Sequence, residues 1–244
     1  FLTERLWQFQ QQLRMRGLRA IDGDLVIDNS YFADEHGDPS DFDGQGSRVY
    51  NVLPNALLVN FQSVQVYLLP DRFQQSVRVV AEPMPANLVI ENRLKNAKGE
   101  CWASIEAAQA TQYDRLIVTG TYRPNCGEFS APRAVLTAPT FAYGVFRTLW
   151  EESGGSLSGD LRIGSVADLN NATDTSLPDA TDTLPPLFLR MMSPPLTDVI
   201  TYINKYSNNV MARNLFLTLG AETFEPPATL AKARRAATVA LRKQ

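Results

Sequence analysis

One short pattern occurs twice, and its two copies limit what the chain can fold into. In the first copy, Leu2, Leu6, Phe9 and Leu13 fall at i, i+4, i+7 and i+11, one face of a 3.6-residue period. Gly17 follows as a stop, and Gly23-Asp24-Leu25-Val26-Ile27-Asp28 reads as a short buried strand. In the second copy, Ala142, Val145, Phe146, Leu149 and Trp150 make the helix face and Gly154-Gly155 the stop. Gly159-Asp160-Leu161-Arg162-Ile163 is then the strand. Two helix-then-strand units predict an α/β layer built around one sheet.

Between the copies the period changes to two. Val64, Val66 and Leu68 alternate with Gln65 and Tyr67, and Val77 and Val79 alternate with Ser76 and Arg78. Leu116 to Thr121 is rich in β-branched residues and is followed by Pro124. Such runs predict antiparallel strands, so the middle of the chain is expected to be mostly β and the whole to be a mixed α+β protein.

Composition then removes whole classes. Among 244 residues no apolar run exceeds four, which excludes a membrane-spanning helix. The formal net charge of −3 gives no electrostatic reason to expect nucleic acid. His36 is the only histidine, so multi-histidine metal sites are excluded, and it has no evident Asp or Ser partner for base catalysis. It sits in an acidic loop, Asp34 to Gly44, whose spacing does not match a twelve-residue calcium loop; a solvated surface loop is expected, with no metal or cofactor. Cys101 and Cys126 are either a disulfide in an exported protein or two buried thiols in a cytosolic one; we favour the disulfide. Residues 1–184 hold 15 Lys+Arg and 23 Asp+Glu, net −8, whereas 185–244 hold 8 and 3, net +5. That shift suggests a domain boundary near Pro185-Pro186, with the basic part next to an anionic ligand; taken alone, ordinary variation of solvated surface charge accounts for it better.

The chemistry concentrates after Ser193. Ser193-Pro194-Pro195 reads as a helix start, with Ser193 as the cap, and Leu196, Val199, Ile200 and Ile203 as the buried face. A second helix follows at Met211, Leu215 and Thr218-Leu219, ended by Gly220. Ser207-Asn208-Asn209 lies at their junction. Ser207 has two readings: cap of the second helix, or half of a Ser-x-Asn pair in which Ser207 and Asn209 both face a cleft. Lys205, two residues earlier, does not face Ser207 on a helix and is read as a solvated surface lysine. From Thr229 a third helix is expected, with Leu230, Ala233, Ala237 and Leu241 as its apolar face and Lys232, Arg234, Arg235, Arg242 and Lys243 elsewhere on it.

The longer string decides between those two readings of Ser207. Residues 193–200 and 203–220, with Ile-Asn-Lys-Tyr-Ser-Asn-Asn-Val-Met-Ala-Arg-Asn at their centre, resemble the second motif region of the class C low-molecular-weight penicillin-binding proteins, the D-alanyl-D-alanine carboxypeptidases/endopeptidases. Gly23 to Phe32, Tyr50 to Phe61 and the Cys101/Cys126 pair are similar to other stretches of that family. The resemblance implies a periplasmic, Gram-negative-like serine peptidase acting on peptidoglycan peptides through an acyl-enzyme, with β-lactams as inhibitors. It implies that Ser207 relays a proton to the leaving amine and Asn209 orients the substrate amide. Residues 1–184 become insertion subdomains, α/β and mainly β, and 185–244 part of a β-lactamase-like transpeptidase domain whose apolar helix faces are partly exposed. The family's other two motifs do not occur here. None of the fourteen serines is followed by Lys at the third position, and none of the five lysines by Thr-Gly. Both ends of the chain read as cut, so the chain alone is expected to be inactive. The rival expectation is a non-catalytic periplasmic module that binds cell wall or a partner.

Overall fold

A computed structural model describes residues 2–33, 37–108, 114–165 and 187–242. The expected boundary at 184/185, His36 and Lys243 lie outside them. By spatial contact the chain divides into two units. One comprises Phe1–Trp7, Gly37–Leu53 and Leu58–Ser153; the other comprises Gln8–His36, Pro54–Leu57 and Gly154–Gln244.

Helix α1 (Thr3–Met15) runs as the period predicts and ends where expected. The Leu18 amide donates to Leu13 O and the Gly17 amide to Arg14 O, with Gly17 at φ +96°. This is a glycine-dependent Schellman stop. Leu6 and Leu13 are buried, Leu2 is half exposed, and Gln10 is completely buried on the same side.

The two copies of the repeated strand pair with each other. Strand β2 (Leu25–Asp28) lies parallel to β10 (Leu161–Gly164), with Leu25 opposite Leu161 and Ile27 opposite Ile163. Just before them, β1 (Ala20–Ile21) lies parallel to β9 (Ser156–Leu157). The expected single sheet is thus two short parallel ladders joined by a polar stitch. Ser158 accepts from the Gly23 amide (3.0 Å) and donates to Asp22 (2.9 Å), while Asp24 accepts from the Asp160 amide (2.9 Å). At Gly159 the backbones come so close that an added Cβ would sit 2.3 Å from the carbonyl carbon and oxygen of Gly23. The repeated glycine is there for want of space.

In the other unit the period-two reading is borne out. Strand β3 (Ser63–Asp71) is flanked antiparallel by β4 (Ser76–Glu82) and β8 (Phe129–Ala134), and Val64, Val66 and Leu68 are fully buried. A second sheet orders β5 (Leu88–Lys95), β7 (Asp114–Thr121) and β6 (Trp102–Ala108), with Leu116 and Val118 of the central strand fully buried. Here one pairing differs from expectation: β5 and β7 run parallel. Cys101 and Cys126 form the favoured disulfide, joining residues 25 apart; closing a loop of that length stabilises a fold by roughly 3 kcal/mol.

Helix α2 (Ala138–Glu152) starts at a capping box of Thr137 and Thr140, ends ahead of Gly154 (φ +79°), and is buried on most of its circumference. It docks on the 84–87 segment. The Thr148 hydroxyl donates to Met84 O (2.8 Å) and the Ala86 amide to Gly144 O (3.0 Å).

Three helices follow in the unit that carries the repeated strands: α3 (Leu196–Tyr206), α4 (Asn209–Phe224) and α5 (Leu230–Leu241). Among the described residues no helix is long and apolar enough to cross a membrane, and no group of three metal-ligating side chains is found. The described part of the acidic loop is largely exposed, as expected, and is held by its own hydrogen bonds: Asp43 accepts from Tyr50 (2.7 Å) and Asn51 (2.7 Å), and Asp38 accepts from the Ser40 amide (2.7 Å).

Gly159→Ala is expected to cost about 1–3 kcal/mol by forcing the two strands apart. A urea unfolding series would report the loss, together with faster amide exchange at Leu25 and Arg162, whose positions flank the contact.

Candidate functional site

The junction of α3 and α4 sets the site. Helix α3 begins later than its sequence suggests. Pro195 occupies the cap position and makes no side-chain bond, so Ser193 lies outside the helix. Its apolar stripe is real but uncovered: no residue of α3 is buried, and Leu196, Ile200, Tyr202 and Tyr206 are all exposed. Tyr202 and Tyr206 stack on each other at 6.0 Å, and the Lys205 ammonium rests 5.5 Å from the centre of the Tyr206 ring. Lys205 is therefore an exposed lysine, as read from the sequence, with an aromatic neighbour.

At Ser207 the chain turns through the left-handed region, φ +50° and ψ +42°, and the Asn208 amide donates to Ile203 O (3.1 Å). A non-glycine residue there carries about 1–2 kcal/mol of steric cost. Ser207 does not start α4, as its capping alternative required; it is the left-handed cap that ends α3. Asn208 is the cap of α4, its side-chain oxygen accepting from the Met211 amide at 2.9 Å. Ser207 and Asn209 are left exposed on either side of that cap, and neither side chain bonds to a described residue. Capping thus consumes the middle residue of the triplet and leaves the outer two available to a ligand.

What holds this junction in place is the α4–α5 pair. Gly220 does not end α4; the helix continues to Phe224, and Gly220 is where α5 crosses it. A Cβ on Gly220 would lie 2.8 Å from the Ala233 nitrogen and 3.0 Å from its Cα. Around that crossing Phe32, Leu217, Ala221, Ala228 and Ala233 form a buried cluster flanked by Tyr31, Ala56 and Phe216. The buried residues of α4 are Val210, Leu217, Gly220 and Ala221, not the Met211/Leu215 stripe, because apolar residues lie all round this helix and its period selects no face. In α5 the buried face is Ala233 and Ala236, while Leu230 and Leu241 are exposed.

The segment 31–33 is stitched onto the loop between α4 and α5. The Ala33 amide donates to Ala228 O (2.8 Å) and the Ala228 amide to Tyr31 O (2.9 Å). The Tyr31 hydroxyl donates to the Glu222 carboxylate. Burial first, and then that carboxylate, push the Tyr31 hydroxyl up to about 12. Asn214 secures α4 to residues 54–57, its side-chain oxygen accepting from the Asn55 amide (3.2 Å). The basic face of α5 is partly engaged: Lys232 donates to the carbonyls of Glu225 (2.8 Å) and Pro227 (2.9 Å), and Arg235 lies 4.7 Å over the Phe224 ring. Tyr31, Asn214 and Glu222 were not picked out from the sequence; they act through contacts across as many as 191 residues.

The comparisons with known proteins give the class to which this fold belongs. The model of the D-Ala-D-Ala carboxypeptidase 3 (S13) family matches residues 1–244. The chain belongs to that family. Among solved structures, penicillin binding protein 4 (dacB) from Haemophilus influenzae aligns over 100% of this chain and 51% of its own, with a TM-score of 0.72 and 18% identity. The same protein complexed with a β-lactam aligns over 100% and 48%, with a TM-score of 0.65 and 17% identity. The chain thus spans about half the length of these relatives and shares their fold. Among curated proteins there is no match.

The fold favours neutral Tyr31, so its contribution to stability holds below pH 10 and is lost as pH rises towards 12. In urea unfolding at stepped pH between 9 and 12, the chain is expected to lose stability more steeply than Tyr31→Phe. Parallel curves would show that Tyr31 is not the group responsible.

Proposed function

We propose that this chain is the central portion of a periplasmic serine-type D-Ala-D-Ala carboxypeptidase/endopeptidase that acts on peptidoglycan peptides through an acyl-enzyme and is acylated by β-lactams. In this reading residues 1–184 supply the insertion subdomains, and 185–244 supply the Ser-x-Asn part of the transpeptidase-like domain. Ser207 relays the proton to the leaving amine, and Asn209 orients the substrate amide through its side-chain carbonyl and amino groups.

The observation that carries the proposal is the division of labour at the junction. Asn208 caps α4, while Ser207 holds a disfavoured backbone conformation and keeps its hydroxyl unbonded. The Ser207 backbone serves as the left-handed cap that ends α3, which fixes where its exposed, unbonded hydroxyl is presented. A hydroxyl is a suitable relay, because it donates and accepts at one oxygen, and an amide can bond a peptide at both its C=O and its N–H. The Cys101–Cys126 disulfide fits an oxidising compartment. Nucleophilic attack needs an activated serine, and the chain carries neither Ser-x-x-Lys nor Lys-Thr-Gly.

Two outcomes follow for a fluorescent penicillin. Residues 1–244 alone are expected to take no covalent label, whereas a parent protein bearing all three motifs is labelled at the Ser-x-x-Lys serine. In that parent, Ser207→Ala should slow acylation by roughly a hundredfold or more, the usual contribution of a positioned proton-transfer group. Ser207→Gly should slow it equally while leaving the unfolding midpoint near that of the parent, since glycine relieves the left-handed backbone. A parent that never labels would sink the enzyme reading in favour of a non-catalytic cell-wall-binding module.

A further inference from the structure

The β-rich unit holds a feature that the carboxypeptidase reading does not use. A depression of about 430 Å³ is lined by Arg72, Gln75, Asn96, Arg123, Pro124 and Asn125. Its residues come from the β3–β4 turn, the end of β5 and the loop that the Cys101–Cys126 disulfide ties down. Among the described residues no carboxylate lines it, although residues 1–184 carry 23 acidic against 15 basic residues.

Its groups are left unmatched. Neither Arg72 nor Arg123 forms an ion pair with a described residue. Arg123 gives one N–H to Gly99 O (2.9 Å), but its Nε is screened from solvent and has no acceptor. A shielded donor without an acceptor costs about 1–3 kcal/mol. Asn125 makes no side-chain bond to a described residue, and the amide nitrogens of Gln75 and Asn96 donate to Arg72 O (2.6 Å) and Gln75 O (3.2 Å), leaving their oxygens as acceptors. On the same turn, Phe73 is fully exposed.

We propose that this depression is a binding site for an acidic peptide, with a carboxylate held by Arg72 and Arg123 and peptide N–H groups accepted by the free oxygens of Gln75 and Asn96. Planar guanidinium groups favour carboxylates, and the paired acceptors favour an amide-bearing ligand over a simple anion. The choice of ligand rests on the peptidoglycan reading above: the acidic stem peptide of peptidoglycan carries both kinds of group. The site would hold substrate on the insert through contacts that take no part in bond cleavage.

The test is calorimetric titration of the chain with a soluble muropeptide whose carboxylates are free, beside the same peptide with those carboxylates amidated. The free peptide is expected to bind saturably and the amidated one at least tenfold more weakly. The Arg72 guanidinium has no hydrogen bond or ion pair with a described residue, so Arg72→Glu should weaken the free peptide at least tenfold with an unchanged unfolding midpoint, and Asn125→Ala should weaken it by a smaller factor. Equal binding of both peptides, equal binding by Arg72→Glu, or no saturable binding overturns the proposal. Penicillin labelling reads other residues and fails independently: a parent that labels although its chain binds no muropeptide refutes this site alone. A chain that binds although its parent never labels refutes only the enzyme reading.

Discussion

The parallel pairing of the two repeated strands is the constraint on which the rest of the structure depends. Gly23-Asp24-Leu25 and Gly159-Asp160-Leu161 are 136 residues apart, yet they lie side by side with backbones in contact. Everything between is one excursion that leaves this ladder and returns to it. Closing so long a loop is tolerable because its entropic cost grows only logarithmically, about 0.6 kcal/mol per doubling of length. The ladder itself is only four residue pairs long, so the serine and aspartate side chains of the stitch supply bonds that a longer sheet would make with backbone alone.

The helix pair that carries the candidate site depends on small residues instead. Gly220, Ala221, Ala228 and Ala233 let α4, α5 and the intervening loop approach until backbone meets backbone. Little apolar area is gained this way, and the contact is supplemented by polar fastenings: Tyr31 on Glu222, Asn214 on the Asn55 amide, Lys232 on two carbonyls. The start of α4, and with it Ser207 and Asn209, is thereby tied to segments from near both ends of the chain.

How much of this was legible in the sequence depended on how strongly one face of each element is buried. Val64, Val66 and Leu68 gave their strand away because every second residue is wholly inside. The repeated unit was equally legible, but not that its copies pair with each other, since no single-strand pattern encodes a partner. Helix α4 misled because it is apolar all round, and α3 because an amphipathic stripe says which side is apolar and not whether anything covers it. Gly220 was taken for a stop: glycine ends helices and also admits close neighbours, and the two uses look alike in one dimension. At the candidate site, Ser207 and Asn209 stand out in the triplet 207–209 by resemblance to a family motif. Which of the three caps the helix was not legible, because serine and asparagine cap about equally well and only the backbone angles separate them.

The left-handed turn at Ser207 has a consequence for how such a chain can change. Two pressures meet at this one position and point in opposite directions. Screened for soluble, folded yield, variants with glycine at 207 should persist or even spread, since the backbone there already has a glycine's geometry. Under the proton-relay role proposed for Ser207, the same variants should be lost when a parent protein is screened for penicillin acylation. Position 207 would then record which of the two a lineage had been held to.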